Sequence, residues 1–200
     1  MAKRLFDWLA STFGLLALAP VLLLLAVWIK LDSPGPVFFR QERVGRGGKL
    51  FRIHKFRTMV PDAERRGLQI TVGADARVTR AGQWLRKYKL DELPQLLDVW
   101  LGHMSLVGPR PEVPRYVACY PADVRDVVLS VRPGITDRAS IEFKDENEIL
   151  GRAGDAHLAY VDEVLPIKLN YYVEYVNSRS MIGDMKLIFK TFMALVVRDK

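Results

Sequence analysis

A long apolar run near the start of the chain dominates its pattern of hydrophobic and polar positions. The run extends from Trp8 to Ile29 without a charged residue, and its 22 residues are enough to span the hydrocarbon core of a bilayer. A cleaved signal peptide fits less well, because the run is longer than a typical signal-peptide core and no small-residue cleavage site follows it. The pattern therefore predicts a membrane helix.

The residues that flank and interrupt this run bear on how it sits in the membrane. Lys3 and Arg4 precede it and Lys30 follows it, so the positive-inside rule gives no orientation and suits both ends on the cytoplasmic side. Pro20 falls in the middle, where it removes one backbone hydrogen bond and favours a kink. These features fit a re-entrant helix that dips into one leaflet and returns. A kinked spanning helix remains open on the same residues.

A β-hairpin is predicted after the apolar run. The segments 37–40 and 50–53 resemble short strands, and they bracket a glycine-rich, basic turn at 45–49. That turn lacks P-loop spacing, so an ordinary turn is favoured over a phosphate-cradling loop. Just beyond it, Lys55 and Arg57 should lie on one side of an extended segment.

Helical periodicity or composition accounts for much of the remaining chain. It predicts helices over 62–66, 80–88, 91–101, 122–131, 160–176 and 182–197, and leaves 70–78 ambiguous. In the second of these helices, Trp84 and Leu85 should point inward. The third has an apolar stripe that is most simply core, made of Leu93, Leu96, Leu97, Trp100 and Leu101. The last has apolar residues beside Lys186 and Lys190, which favours a membrane-interface position.

Composition narrows the class of protein. The 200 residues suit one domain with a real core, and half of them are apolar. The net charge of +7 suits an anionic partner, either a phosphorylated substrate, an anionic lipid or a nucleic acid. The single cysteine, Cys119, excludes an internal disulfide, and with three scattered histidines it makes a structural zinc site unlikely.

Two adjacent carboxylates, Asp91 and Glu92, are the leading candidates for chemistry. They stand where a helix is predicted to begin, with Pro94 in its first turn. An aspartate at such a position caps free N–H groups, and a capped amphipathic helix with solvated charges is the plain alternative to a catalytic site. Neighbouring helix residues point about 100° apart, so the two carboxylates are not equivalent.

Two proline-containing loops carry arginines. Pro109 and Pro111 fix the backbone on either side of Arg110, which suits bidentate capture of a phosphate. A surface arginine in a proline-rich turn is the alternative. Arg132 begins a second rigid loop, at 132–136.

Six motifs follow one another along nearly the whole chain. They are KRLFD at 3–7, the apolar run broken at Pro20, KFRTM at 55–59, LDELPQ at 90–95, MSLVGPRPE at 104–112 and RPGIT at 132–136. This set is similar to that of the bacterial sugar transferases, the small monotopic phosphoglycosyl transferases. The resemblance implies a helix-rich α+β, monotopic membrane protein: a re-entrant helix over 1–31, kinked at Ala19 and Pro20, and a cytoplasmic catalytic domain over 32–200 that packs on the membrane with its hairpin and interface helices.

The resemblance also implies a reaction. A phospho-sugar passes from a UDP-sugar to polyprenol (undecaprenyl) phosphate with release of UMP, in the first membrane step of bacterial glycoconjugate assembly (exopolysaccharide, O-antigen, capsule or glycoprotein glycan). The expected cofactor is Mg²⁺, and the partners are the two substrates and the phospholipid bilayer, without nucleic acid. The expected location is the cytoplasmic face of the inner membrane, with both termini cytoplasmic. A homodimer is left open.

Roles are carried over from the matching motifs. Asp91 is the implied nucleophile, forming an aspartyl-phosphosugar intermediate, and a ligand of Mg²⁺; Glu92 is its partner in a catalytic dyad. The candidates for binding substrate phosphates all carry a positive charge. They are Arg110, Arg86, Lys55, Arg57 and Arg132. An intermediate of this kind predicts ping-pong kinetics.

The chain departs from the family pattern in three places, and the last of them, at 137–140, leaves the identity of the sugar open. Ala19 replaces a frequent serine, His103 replaces a frequent acidic residue, and the segment 137–140 differs from the usual continuation after RPGIT. Two other functions stay open from the residues. A membrane-bound hydrolase would cleave UDP-sugars with the same dyad, and a non-enzymatic adaptor would bind anionic lipid or nucleic acid through its basic face.

Overall fold

The computed structural model describes residues 2–63, 75–142 and 150–196. Most of the predicted helix at 62–66, most of the ambiguous 70–78 segment and most of the charged segment 142–148 lie outside the described residues. Helices predominate, and the strands form two small two-stranded sheets. A helix-rich α+β fold is thereby confirmed, whereas the division at residues 31 and 32 stays a prediction.

The apolar run forms helix α1, Ala2–Asp32, which continues without interruption through Pro20. It is about 46 Å long at roughly 1.5 Å per residue. Only Asp7, Ser11, Leu25 and Ile29 are buried along it, and many of its leucines are exposed. Within the described residues, α1 is the one helix long and apolar enough to cross a membrane. Its re-entry stays a prediction.

Both ends of α1 are attached to the rest of the protein. Near its start, the Arg4 guanidinium donates to the backbone carbonyls of Val99 and Trp100 at 2.5 and 2.8 Å. The buried Asp7 carboxylate accepts from the Leu106 N–H at 3.2 Å. At the other end, Asp32 accepts from the Ala81 N–H at 3.0 Å. These bonds hold the helix close to the elements that carry the candidate chemistry.

The predicted hairpin is confirmed, with longer strands than expected. Strands β1, Phe38–Val44, and β2, Leu50–Phe56, pair antiparallel along their full length. Gly47 and Gly48 take positive φ values of 66° and 76° in the turn, where glycine has no steric penalty. The Gly47 N–H donates to the Leu129 carbonyl at 2.7 Å, so this turn packs against the protein.

Helix α2, Arg80–Lys87, is confirmed, but one of its two predicted core residues is wrong. Leu85 is fully buried, whereas Trp84 is 57% exposed. The buried face consists of Ala81, Gly82 and Leu85, and Trp84 instead lies against Tyr88 one turn later, with 4.9 Å between ring centroids. The tight contact of Gly82 with the Thr58 backbone brings this other face inward.

The third predicted helix begins later than expected, and part of its predicted core is wrong. A 3₁₀ turn at Leu90–Glu92 precedes helix α3, Gln95–Leu101. Trp100 and Leu101 are exposed, and Leu93, Leu96 and Leu97 are half-buried. The buried positions are Gln95, Asp98 and Val99. That stripe has helical spacing but contains two polar residues, so hydrophobicity alone points to the wrong face.

A second sheet joins the two proline-containing loops. Strands β3, Ser105–Val107, and β4, Gly134–Thr136, pair in parallel. Beyond the pairing, the Gly134 N–H donates to the Pro109 carbonyl at 2.8 Å. A side chain at either Gly108 or Gly134 would collide with the backbone of the other loop. The two glycines therefore permit the close approach that places the Arg110 loop beside β4.

Six further helices and a π-helical turn are described, and most of them contribute to the largest core. They are α4 Pro114–Val117, α5 Ala122–Val128, α6 Arg138–Glu142, α7 Ala156–Ala159, a π-helical turn Tyr160–Val164, α8 Leu165–Ser178 and α9 Met181–Val196. The predicted helices at 122–131, 160–176 and 182–197 are thus confirmed in outline. Tyrosines and aliphatic residues from α4, α5, the π-helical turn and α8 form this core.

Helix α9 is fixed by one buried carboxylate, Asp184. Asp184 accepts from the Lys3 ammonium at 2.5 Å and from the Tyr175 hydroxyl at 3.0 Å. Tyr175 also donates to the Val107 carbonyl at 3.0 Å. These contacts join α9 to α1, α8 and β3. Its outer residues are left exposed, including Phe189 at 64% and Phe192 at 61%.

Candidate active site

The 3₁₀ turn presents the two adjacent carboxylates. It begins after Lys89, whose left-handed backbone (φ 56°, ψ 21°) is uncommon for a residue other than glycine. The helix-capping interpretation of Asp91 is wrong: α3 begins at Gln95, and neither the turn nor α3 has a side-chain cap. The turn therefore leaves the Asp91 carboxylate available for another role.

Glu92 lies between two cations. Its Oε1 accepts from the Lys55 ammonium at 2.9 Å and from Nη2 of Arg110, while its Oε2 accepts from Nη1 of Arg110 at 3.1 Å. Burial by itself would raise the pKa of Glu92, but the charges of Arg110 and Lys55 outweigh it and hold the pKa well below its usual range. Glu92 is consequently ionised, and both its oxygens are occupied.

Asp91 has a different environment from its neighbour. It is 8% exposed, and its Oδ2 lies 3.7 Å from the Lys55 ammonium. Burial raises the pKa of Asp91; Lys55 opposes this shift and the charge of Glu92 adds to it. Its carboxylate makes no hydrogen bond with the residues that the structure describes. Asp91 is thus the more basic carboxylate of the pair and the one without a hydrogen bond from the described residues.

Arg110 gains its position from the loop that its prolines and neighbours form. The Arg43 guanidinium on β1 donates to the Pro111 carbonyl at 3.0 Å. The buried Glu112 carboxylate accepts from the Tyr160 hydroxyl at 2.5 Å. The pKa of Arg110 is raised well above its ordinary value, chiefly by Glu92. Sequence reasoning missed these supports, since Arg43 and Tyr160 are distant in the chain.

The other predicted phosphate-binding residues are not gathered around the dyad to the same degree. Arg86 is half-buried, and its charge lowers the pKa of Asp91, but it forms no hydrogen bond or ion pair with the described residues. Arg57 is 4% exposed and donates to the carbonyls of Ser33 and Pro34, both at 2.7 Å. Arg132 donates to the Gly102 carbonyl at 2.8 Å. Neither of these last two contacts Asp91 or Glu92.

The divergent segment at 137–140 lies next to Arg110. Asp137 is 2% exposed and accepts from the Ser140 N–H and hydroxyl at 3.0 and 2.6 Å. Burial raises the pKa of Asp137, although the bonds from Ser140 and the charge of Arg110 oppose the shift. Asp137 in turn adds to the raised pKa of Arg110. The residues at 137–140 that depart from the family pattern therefore lie close to Arg110.

A histidine–aspartate pair, also missed from sequence, ties β2 to α3. The fully buried Asp98 accepts from the His54 backbone N–H at 2.8 Å and pairs with its Nδ1 at 2.8 Å. His103 Nδ1 lies 3.8 Å from the same carboxylate. Since Lys55 follows His54, this pair sets β2 against the helix that follows the dyad. An aspartate within an apolar helical stripe was the available signal.

A cavity of about 330 Å³ opens beside Glu92 and Arg110. Lys89, Glu92 and Arg110 form its charged end, and α3 and α9 contribute apolar walls. Thr136, Ser140 and Thr191 supply its hydroxyls. The dyad therefore adjoins a space that is polar at one end and apolar along its length.

The carboxylates fit one mode of magnesium binding better than another. Among the described residues there is no group of three or more histidine, cysteine, aspartate or glutamate side chains that could enclose a metal. Mg²⁺ at phosphate sites is commonly held by one or two carboxylates together with substrate phosphates. The unbonded oxygens of Asp91 fit that mode, whereas those of Glu92 are occupied.

A buried carboxylate pair flanked by cations, next to an exposed apolar helix, is the arrangement expected of an enzyme for anionic substrates at a membrane. A family model described as bacterial sugar transferase matches residues 1–198. The chain therefore belongs to the bacterial sugar transferase family, and the resemblance seen in its motifs is confirmed.

Individual relatives carry names that fit this family, and the sugars in those names differ. An Aeromonas hydrophila protein named UDP-N-acetylgalactosamine-undecaprenyl-phosphate N-acetylgalactosaminephosphotransferase is 39% identical over 97% of this chain and 43% of its own length. A Rhizobium leguminosarum protein named exopolysaccharide production protein PSS is 37% identical over 99% of this chain and 96% of its own. A Caulobacter vibrioides protein named UDP-glucose:undecaprenyl-phosphate glucose-1-phosphate transferase is 36% identical over 100% and 71%. The chain thus spans less than half of one relative and nearly all of another.

Proposed function

We propose that this protein transfers a phospho-sugar from a UDP-sugar to undecaprenyl phosphate and releases UMP. The observation that carries the proposal is the asymmetry of the dyad: Glu92 accepts hydrogen bonds from Lys55 and Arg110, while Asp91 has a raised pKa and accepts no hydrogen bond from the described residues. A more basic, unbonded carboxylate is the better nucleophile of the two. The names of the relatives support the donor and acceptor classes.

In the first step, an Asp91 carboxylate oxygen attacks the phosphorus that bears the sugar. A bond forms from this oxygen to phosphorus, and the bond from that phosphorus to the oxygen shared with the other phosphate breaks. UMP leaves with the bonding electrons on that oxygen, and the sugar phosphate stays on Asp91 as an acyl phosphate ester. Lys55 and Arg110 stabilise the negative charge that develops on the phosphate oxygens.

In the second step, an oxygen of the lipid phosphate attacks the same phosphorus. The acyl phosphate bond breaks, Asp91 recovers its carboxylate, and the product is a polyprenyl diphosphosugar. A covalent intermediate lets one small site serve a soluble donor and a lipid acceptor in turn. The scheme accounts for the side-by-side position of the carboxylate cluster and the apolar cavity.

The role proposed for magnesium is limited to charge. Mg²⁺, held by Asp91 and substrate phosphate oxygens, would offset the repulsion between a carboxylate nucleophile and an anionic diphosphate. The fixed cations, Lys55 and Arg110, contribute in the same direction from the protein side.

The exposed apolar surfaces of α1 and α9 support an arrangement at the membrane. We infer that α1 enters the inner membrane from its cytoplasmic face and returns near Pro20, leaving both termini cytoplasmic. The apolar side of α9, with Lys186 and Lys190 beside it, suits the headgroup layer. The dyad would then meet the acceptor phosphate without extracting the lipid.

The proposal is tested by UMP release from purified protein over a panel of UDP-sugars. Each donor is assayed with and without undecaprenyl phosphate and Mg²⁺, beside Asp91→Ala. Acceptor- and Mg²⁺-dependent UMP from a donor, absent in the variant, is expected. Acceptor-independent turnover would identify a hydrolase instead, and release of UMP by Asp91→Ala would contradict the nucleophile assignment.

A further inference from the structure

The cavity beside the dyad offers few free polar groups to a ligand. The Thr136 and Thr191 hydroxyl oxygens lie 2.6 Å apart, and Thr191 also donates to the Leu187 carbonyl at 2.8 Å. The Ser140 hydroxyl donates to Asp137. The three hydroxyl groups in its lining are therefore already paired within the protein. A sugar or a ribose would leave many of its own hydroxyls without partners there, which is costly in a desolvated site.

The rest of the lining is suited to a hydrocarbon. Leu93 and Leu96 face the cavity from the dyad side, and Ile188 and Phe192 face it from α9. Burial of apolar groups from both partners is favourable roughly in proportion to the area removed from water. An extended branched hydrocarbon therefore matches this part of the cavity better than a nucleotide sugar does.

The charged end of the cavity suits a phosphate. Arg110 presents a side chain that is 30% exposed, and the exposed Lys89 makes no hydrogen bond or ion pair with the part of the chain that the structure describes. Two cations at one end and aliphatic walls beyond them complement a phosphate attached to an apolar chain. This polarity matches a lipid phosphate lying lengthwise.

The apolar walls are continuous with the surfaces that would meet a bilayer. Leu96 lines the cavity and also packs close to Gly14 in the apolar run of α1. Phe192 lines the cavity from α9 while remaining 61% exposed on that helix. Asp184, Lys3 and Tyr175 fix α9 in this position. A chain could therefore enter from the membrane side.

We propose that the cavity between α3 and α9 binds the isoprene units nearest the phosphate of the acceptor lipid, with that phosphate at Lys89 and Arg110. This inference rests on the proposed function and adds the place and residues of acceptor recognition. It assigns the apolar part of this cavity to the acceptor chain and not to the sugar or nucleoside of the donor. Phe192 and Leu96 are then acceptor-specificity residues on opposite walls.

The two half-reactions of the proposed scheme allow a sharp test. Exchange of labelled UMP into UDP-sugar without acceptor reports the donor step alone, and transfer to undecaprenyl phosphate reports both steps. Phe192→Ala and Leu96→Ala are compared with Phe189→Ala. Phe189 is a matched control, because it lies on the same helix, is 64% exposed and does not line the cavity.

Phe192→Ala and Leu96→Ala are expected to raise the KM for undecaprenyl phosphate about tenfold, and to impair transfer far more than exchange. Phe189→Ala should stay within about twofold of the unaltered protein in both assays. An equal effect of Phe189→Ala and Phe192→Ala would assign the loss to general lipid contact and overturn the proposal. Equal losses in exchange and transfer, or no loss in either, would overturn it too. Absence of exchange in the unaltered protein would instead refute the covalent scheme.

Discussion

The Lys55 ammonium lies 2.9 Å from Oε1 of Glu92 and 3.7 Å from Oδ2 of Asp91, so one cation on β2 contacts both carboxylates of the dyad. Of the two carboxylates, Arg110 forms an ion pair with that of Glu92 and not with that of Asp91. This unequal sharing explains the opposite pKa shifts of the two carboxylates. Burial outweighs the cations and raises the pKa of Asp91, whereas the cations outweigh burial and lower the pKa of Glu92. The difference is the physical basis for assigning the two carboxylates different roles.

Replacement of Lys55 should move the pH dependence of the reaction upward. Asp91 must be ionised to attack, and Lys55 lowers the pKa of Asp91 against the effect of burial. Lys55→Met removes that charge, so the acidic limb of kcat/KM should shift to higher pH and the maximum rate should fall. Lys55→Arg, which keeps the charge, is the control. A limb that stays in place in Lys55→Met would contradict the assignment.

Replacement of Glu92 should move the same limb in the opposite direction. The charge of Glu92 raises the pKa of Asp91, so its removal in Glu92→Gln should shift the acidic limb of kcat/KM to lower pH. The rate at neutral pH should still fall, by about 10- to 100-fold, because Lys55 and Arg110 lose the anion that orders them. A pH–rate profile of the variant tests both points. An upward shift would contradict the electrostatic coupling of the two carboxylates, and complete loss of activity at every pH would point to Glu92 as the nucleophile instead.

Asp91→Asn should abolish activity and stabilise the fold. The pKa of Asp91 is raised in the folded protein, so the ionised group costs stability at pH values above its unfolded pKa. A neutral amide of similar size removes that cost, and each kcal/mol should raise the Tm by about 2–4 °C. Thermal unfolding in detergent at pH 7 and at pH 4 checks this. The gain should shrink at the lower pH, and a gain that persists unchanged would rule out a charge effect.

The fold was predictable from sequence wherever the pattern is local. It was less predictable where tertiary packing determines which face of a helix is buried. The hairpin, α2 and α9 follow from spacing and turn residues that lie close together in sequence. The exposure of Trp84 depends instead on the contact of Gly82 with Thr58, and the polar buried stripe of α3 depends on partners in β2 and α1. No short sequence window contains these partners.

The residues of the candidate site were likewise predictable only in part from the sequence. Asp91, Glu92 and Arg110 stood out in sequence because of their adjacency and flanking prolines, and the structure brings them together with Lys55. Arg57 resembles Lys55 in sequence, yet its guanidinium reaches the end of α1. Charge in a motif therefore indicates a candidate, whereas its partner depends on which backbone lies opposite.

Replacement of Arg57 should distinguish a structural role of this residue from a role in substrate binding. Its guanidinium satisfies carbonyls of Ile29, Ser33 and Pro34, so Arg57→Ala should destabilise the protein by roughly 2–4 kcal/mol. The KM for the UDP-sugar should change little in protein that remains folded. Arg40→Ala is the matched control, since Arg40 is exposed and, among the residues that the structure describes, its side chain donates one hydrogen bond, to the Arg52 carbonyl. A large rise in KM without loss of stability would place Arg57 at a substrate phosphate instead.

The covalent intermediate on Asp91 can be observed by intact-protein mass spectrometry. The protein is incubated with its UDP-sugar and Mg²⁺ but no lipid acceptor, quenched in acid and compared with Asp91→Asn. We expect a mass increase equal to one sugar phosphate less water, located on the peptide that contains Asp91. This increase should be lost on addition of undecaprenyl phosphate and absent in the variant. Full acceptor-dependent turnover without any adduct, or an adduct that persists in Asp91→Asn, would contradict a covalent intermediate on Asp91.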